Sequence, residues 1–229
     1  MLKFIGRRII QNIAALAALG ALFFILAGTI RVWGFWVYVA TVLGYQIISL
    51  LIIVPKHPEY IELANVRKTA HTDAKKWDRV VVLAVLGATY VMYALAAFDV
   101  GRLHVSQLPV LLTVVGIVAY VVASALNQWA MLHNPHFERE VRIQTDRNHV
   151  VMTGGPYRYV RHPGYLGSVV GFVSFPLVVG SGIALLGSVL CIAGMIVRTY
   201  LEDGTLSQEL AGYAEYARTV RYRLLPYVW

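Results

Sequence analysis

The sequence holds one cysteine, Cys191, so no disulfide can form within the chain. Cys191 stands inside an apolar run, where a lone thiol acts as a small packing group. Charge is also scarce: 14% of the residues are charged against 58% hydrophobic. A soluble domain of this length does not need so much apolar surface. Metal-ligand sets are missing. His133 and His136 have the H-x-x-H spacing, but Pro135 lies between them and no cysteine or clustered carboxylate completes a site. A phosphate-cradling loop is missing as well. Gly180-Ser181-Gly182 follows no strand and reads as a tight turn.

What is present is a series of uncharged runs: residues 9–30, 34–54, 80–98, 108–132, 165–179 and 183–197. The first would make a helix of roughly 33 Å, enough to cross a hydrocarbon core. Lys3, Arg7 and Arg8 precede it. Its apolar stretch is too long for the core of a signal peptide, and another run follows closely, so it reads as a retained helix. The expectation is an all-α integral membrane protein of about six transmembrane helices. The last two are short and would form a helical hairpin, with Pro176 as a kink.

The net charge of +8 distributes unevenly. With the N-terminus placed in the cytoplasm, every Lys and Arg except Arg31 and Arg102 falls on the cytoplasmic side. The basic loops therefore face anionic lipid headgroups, not a nucleic acid backbone. Both termini are expected in the cytoplasm of a multi-pass protein.

The chain divides into two unequal halves of one membrane domain. Residues 1–132 form four helices with a polar loop at 55–79, part of it helical along the membrane surface. Residues 133–229 carry the chemistry: a connector of about thirty residues, too long for a passive loop, then the hairpin, then a tail. The tail continues the last helix and adds an amphipathic surface helix bearing Tyr213, Tyr216, Arg218, Arg221 and Arg223. Such a helix reads as lying on lipid, and it could also wall a site. Asn127 and Gln128 would face the protein interior.

The connector ends in GGPYRYVRHPGYLG, residues 154–167, which packs arginines, tyrosines, a histidine and prolines together. Tyr and Arg favour a membrane interface, and Pro starts helices. The glycine–proline turns go further, because they bend the backbone and free its polar groups for a ligand. Parity of the helices brings Arg161, His162 and Tyr165 opposite Arg198, Glu202 and Asp203 at the mouth of the hairpin. Arg198 and Glu202 are four residues apart and share a helix face. A guanidinium there suits a carboxylate, and an acid suits hydroxyls or an amine.

TGGPYRYVRHPGYLG, then a helical hairpin, then RTYLED…GYAEYARTVRYRLLP, resembles the isoprenylcysteine carboxyl methyltransferase family and its wider group of membrane phospholipid methyltransferases. The resemblance runs from about residue 134 to 229. It implies S-adenosylmethionine as cofactor and methyl transfer to a lipophilic or small acceptor: a carboxylate, an amine or a thiol. It also implies that Gln144, His149, Val150, Val151, Met152 and Tyr157 line the cofactor pocket. His162, Pro163, Gly164, Tyr165 and Glu202 would bind the cofactor with them. Arg198 would face the acceptor, and Arg161 would lie near the reacting groups. The family commonly shows two glutamates where this chain has Glu202-Asp203, so the resemblance leaves Asp203 without a role. Two other readings stay open. Some membrane reductases that use a nicotinamide cofactor share an R-H-P-x-Y stretch, but carry an acid where Leu166 and Gly167 stand here. A non-catalytic lipid-binding membrane protein would need none of these residues.

Overall fold

The structure is a computed structural model and describes residues 1–61, 74–106 and 108–229. The described residues hold helices and no strand. The long helices are α1 (Leu2–Ala27), α2 (Trp33–Lys56), α3 (Lys76–Phe98), α4 (Val110–Leu132), α5 (Pro163–Val179) and α6 (Ala184–Glu209). A short α7 (Tyr213–Thr219) closes the fold, and a π turn, Asp99–Leu103, extends α3. Five helices are long and apolar enough to cross a membrane: α1, α2, α3 with its π turn, α4 and α6. The remaining helix, α5, which holds the fifth run, is apolar but shorter, at 17 residues. Residues 62–73 of the 55–79 loop, expected to be partly helical, lie outside the described residues. Of its flanks, 55–56 end α2 and 76–79 begin α3.

Local chemistry sets the helix ends. Gly28, at φ 71°, closes α1 in the left-handed region and returns its N–H to Phe24. Pro109 and Pro163 precede or open α4 and α5 with a preset φ. Pro176 lies inside α5, one turn from its end, where its carbonyl accepts the N–H groups of both Gly180 and Ser181. The 180–183 segment is the tight turn the sequence suggests. Ser181 Oγ donates to Asp99 Oδ2 at 2.6 Å, and Asp99 Oδ1 accepts the Ser106 N–H at 2.9 Å, which ties this turn to the end of α3.

Of the two hairpin helices only α5 is short; α6 has 26 residues, because its helix runs on past the uncharged run through Arg198 to Glu209. They join through that turn, yet each leans mainly on the first half of the chain: α5 along α4, and α6 along α3. Small residues permit this. A Cβ at Gly116 would sit 2.8 Å from the Val178 backbone, and one at Gly187 would sit 2.6 Å from Met92. Aromatic rings fill the centre: Phe23 stacks on Phe35 at 4.2 Å, and Tyr93 lies 4.0 Å from Phe175. Gln128 faces inward as expected and acts as interhelical glue, bonding Ser49 and accepting from Tyr45. The halves 1–132 and 133–229 thus share one interior.

The tail departs from the sequence reading in one respect. The amphipathic helix is only seven residues long, and its aromatic face turns to protein. Tyr213 and Tyr216 are buried against Tyr157, Leu210 and Val220, while Glu215 and Arg218 point outward. A protein wall satisfies the ring area that lipid would otherwise have taken.

Candidate active site

The connector between α4 and α5 folds over the ends of α4, α5 and α6. Its own ion pairs hold it. Arg142, 5% exposed, pairs with Glu138 at 2.9 Å and with Asp146 at 2.7 Å. Lys75 N–H donates to Val141, and Lys75 Nζ reaches Glu209 at 2.6 Å, clamping the connector between the start of α3 and the end of α6.

Gln144, 2% exposed, is the pivot of the inner connector. Its Nε2 donates to the His136 carbonyl at 2.7 Å, and its Oε1 accepts from His136 Nδ1 at 3.2 Å. Its backbone N–H donates to His149 Nδ1 at 3.3 Å, so that nitrogen carries no proton. The His136 and His149 rings lie 4.5 Å apart. Burial, and then the nearby His136 and Arg142, lower the His149 pKa to about 4.

The G-G-P-Y turn is a 3-10 segment, Gly155–Arg158. Gly155 has φ +56°, and a Cβ there would fall 2.5 Å from the His133 ring. Only glycine meets both conditions. Tyr157 hydroxyl accepts from Asn134 at 3.1 Å, and its carbonyl accepts from the Tyr216 hydroxyl at 2.7 Å.

Next comes the cluster that the sequence did not assign. Asp203, 4% exposed, gathers its neighbours. Arg161 grips it with Nε at 2.7 Å and Nη2 at 2.8 Å; Arg223 Nε adds a bond at 2.8 Å, and Tyr213 hydroxyl another at 2.8 Å. His162 Nε2 lies 3.2 Å from the same carboxylate. A buried carboxylate is tolerable only when so compensated. Arg161 spends its remaining nitrogen on the carbonyls of Val220 and Arg221, at 2.7 and 2.9 Å. Burial alone would lower the Arg161 pKa, but the Asp203 ion pair outweighs it and raises it. Burial, then the Asp203 charge, pushes the Tyr213 phenol well up. The structure thus gives Arg161 to a clamp on Asp203 and the tail.

A second ion pair stands opposite. Arg198 Nε and Nη2 contact Asp78 Oδ1 and Oδ2 at 2.7 and 3.1 Å, and Nη2 also donates to the Arg139 carbonyl at 2.6 Å. Asp78, 0% exposed, takes the Val141 N–H as well. Nη1 donates to no described residue. The Arg198 guanidinium sits 5.1 Å from the centre of the Tyr165 ring, a cation–π placement. Tyr165 hydroxyl donates to Glu202 Oε2, and the Tyr165 and His162 rings stack at 5.6 Å.

Between these groups opens a cavity of about 410 Å³. Every residue that the resemblance assigns to the site lines it: Gln144, His149, Val150, Val151, Met152, Tyr157, Arg161, His162, Pro163, Gly164, Tyr165, Arg198 and Glu202. Sequence reasoning missed Tyr213 and Tyr216 as assigned site residues, although the tail motif contains them, and both line the cavity. It missed Asp78 outright, because nothing near Asp78 in the chain marks it. Among the described residues no group of three or more His, Cys, Asp or Glu is placed to hold a metal ion.

The cavity has the size of a site for a drug-sized ligand, which takes roughly 300–1,000 Å³. It offers an acid in Glu202, an amide in Gln144, aromatic faces in Tyr157 and Tyr165, and apolar wall from Val151 and Met152. That mixture fits a nucleoside bearing hydroxyls, an amine and a sulfonium.

None of the curated proteins compared matches the chain. The segment that begins within α4, carries the connector and α5, and ends in the last turn of α6 is a different matter: residues 114–208 match the model of the isoprenylcysteine carboxyl methyltransferase (ICMT) family.

Proposed function

We propose that the chain is an S-adenosylmethionine-dependent methyltransferase whose acceptor is lipophilic or small and arrives as an anion, a carboxylate or a thiolate. The observation that supports this most is the single cavity lined by every residue that the resemblance assigns to the site, with Glu202 and Arg198 on one wall. Bound there, S-adenosylmethionine would supply a sulfonium methyl group, which the acceptor takes as the methyl–sulfur bond breaks.

The chain's own residues divide the work. Gln144, His149, Val150, Val151, Met152 and Tyr157 hold the cofactor from the connector side. His162, Pro163, Gly164 and Tyr165 hold it from the start of α5, and Glu202 accepts from its hydroxyls or amine. Arg198 faces the acceptor and orients its negative charge, with Asp78 fixing the guanidinium. Arg161 positions the lip through Asp203 rather than meeting the reactants. The catalytic contribution is chiefly alignment of two reactants, since an anionic acceptor needs no general base. His162 Nε2 faces Asp203 and, at 3.3 Å, the Tyr213 hydroxyl. That engagement favours an anion over an amine, which would need a free base.

The membrane reading places the site on the cytoplasmic face. Ile5 near the N-terminus packs with Leu50 and Val54 at the end of α2, and the charge of Arg139 in the connector reaches Arg8. The N-terminus, connector and tail would then share the basic, cytoplasmic side. Residues 133–229 would act as the catalytic half and 1–132 as its membrane scaffold.

Calorimetric binding of S-adenosylhomocysteine to the purified protein tests the proposal. Micromolar affinity is expected, and Glu202→Ala should weaken it about tenfold or more, as loss of a charged hydrogen-bond acceptor does. Absence of binding by folded protein would overturn the cofactor, and unchanged affinity in Glu202→Ala would remove that residue from the site.

A further inference from the structure

A second cavity, of about 380 Å³, lies among α1, α2 and α4. Its walls are polar although its helices are of membrane-spanning kind: Asn12 on α1, Gln46 and Ser49 on α2, Tyr120 and Ser124 on α4. Amides and hydroxyls are costly against lipid, and at membrane depth they turn towards partners or a filled cavity. Helix packing accounts for Ser49, which bonds Gln128. It accounts for only part of Gln46, whose amide meets the Tyr120 hydroxyl of α4. The side-chain oxygen of Gln46 is buried and accepts no hydrogen bond from a described residue. A buried carbonyl oxygen of this kind calls for an N–H or O–H from outside the chain.

The mouth of the same cavity is basic. Arg8 and Arg139 both line it, close enough that the charge of Arg139 reaches Arg8. The Arg139 guanidinium pairs with no described carboxylate. Two cations brought together at a membrane interface favour an anion between them. Asn12 lies one helical turn from Arg8, towards the interior, and the pairing of Ile5 with Leu50 and Val54 and of Gly20 with Phe35 sets Gln46 at about the level of Asn12. Polar groups therefore descend from a basic mouth into the helix bundle. A soluble ion would satisfy only the mouth.

We propose that this second cavity binds an anionic membrane amphiphile, with its phosphate or carboxylate at Arg8 and Arg139 and a hydroxyl or N–H of its stem on Gln46. Asn127 and Arg139 line both cavities, so the amphiphile lies directly beside the methyl-transfer cavity. The inference does not depend on which cofactor that first cavity takes.

Native mass spectrometry of the full chain, with three probes, tests it. Lysophosphatidic acid carries the phosphate, a free stem hydroxyl and a chain. Dioleoyl phosphatidic acid lacks the hydroxyl, and glycerol 3-phosphate lacks the chain. The lyso lipid should bind about tenfold or more tighter than either, the worth of one well-made buried hydrogen bond or of a buried chain. Gln46→Leu should abolish its advantage over phosphatidic acid, and Arg139→Gln should weaken both lipids. Thermal melting of each variant confirms that it is folded. Equal binding of glycerol 3-phosphate would assign the cavity to soluble phosphate compounds and overturn the proposal. So would a preference for the lyso lipid that survives Gln46→Leu in folded protein.

Discussion

Asp78 and Arg198 stand 120 positions apart and meet in a two-pronged ion pair, one from the start of α3 and the other from α6. Arg198 reaches the cavity from a helix that could swing its long side chain elsewhere, and Asp78 takes away that freedom. A guanidinium fixed in this way presents one remaining nitrogen in one direction.

Asp78→Asn should therefore impair turnover with the acceptor more than binding of the cofactor. Breaking a buried pair by removing one charge costs about 3–5 kcal/mol. Part of that would appear as lost stability and the rest as a turnover reduced about tenfold or more. Steady-state kinetics set beside calorimetry of S-adenosylhomocysteine separate the two. An equal loss in both would make Asp78 a structural residue only.

Asp203→Asn should behave differently. It leaves Arg161 and Arg223 facing a neutral amide, so the lip and tail should loosen together. A stability loss of about 3–5 kcal/mol is expected, together with loss of cofactor binding. Asp203→Glu keeps the charge and should recover much of both. A melting midpoint unchanged in Asp203→Asn would remove this carboxylate from the centre of the fold.

Gly155→Ala probes the turn itself. The residue has φ +56° and its Cβ would meet the His133 ring, whereas at Gly154 the nearest atom to a Cβ is 3.9 Å away. Left-handed backbone alone costs a non-glycine residue about 1 kcal/mol, and the clash adds to it. Gly155→Ala should weaken cofactor binding and lower the melting midpoint, while Gly154→Ala should do neither. Equal effects at the two positions would refute the turn geometry.

His149 gives the site a pH dependence. Its folded pKa is about 4 against an ordinary 6.5, chiefly through burial. An opened or unfolded connector takes up a proton that the folded one refuses. The contribution of this residue to stability is therefore complete above the ordinary pKa, and it declines as pH falls towards the folded one. Hydrogen-exchange protection around residues 142–152 should drop from about pH 7 to about pH 5, with the whole-chain fold retained. His149→Asn keeps an acceptor for the Gln144 N–H without the titration, and should flatten the response. A drop of the same size in His149→Asn would place the titrating group elsewhere.

The parts legible in the sequence are those written in local pattern. Charge-free runs mark the helices, and paired glycines and prolines mark the lip. Arg198 and Glu202, one turn apart, face one cavity as their spacing requires. The parts that were not legible depend on contacts between distant segments. Asp78 looks like an ordinary acid in the first turn of a helix. Asp203 looks like a spare neighbour of Glu202, until burial and three cationic or phenolic partners define it. Tyr213 and Tyr216 have the spacing of a lipid-facing stripe, and only the presence of Tyr157 and Leu210 shows which apolar surface they cover.

The tail's grip on the lip has a consequence in time. The Arg161 and His162 N–H groups donate to Tyr222 and Arg223, and the Arg161 side chain holds the carbonyls of Val220 and Arg221. During translation the helices emerge one after another, and residues 220–223 leave the ribosome after all of them. Until they do, the lip has no partner for its backbone and Asp203 lacks Arg223. Competence for the cofactor thus comes last, after the membrane part is in place. A nascent chain stalled before the tail would sit in the bilayer as an inert bundle.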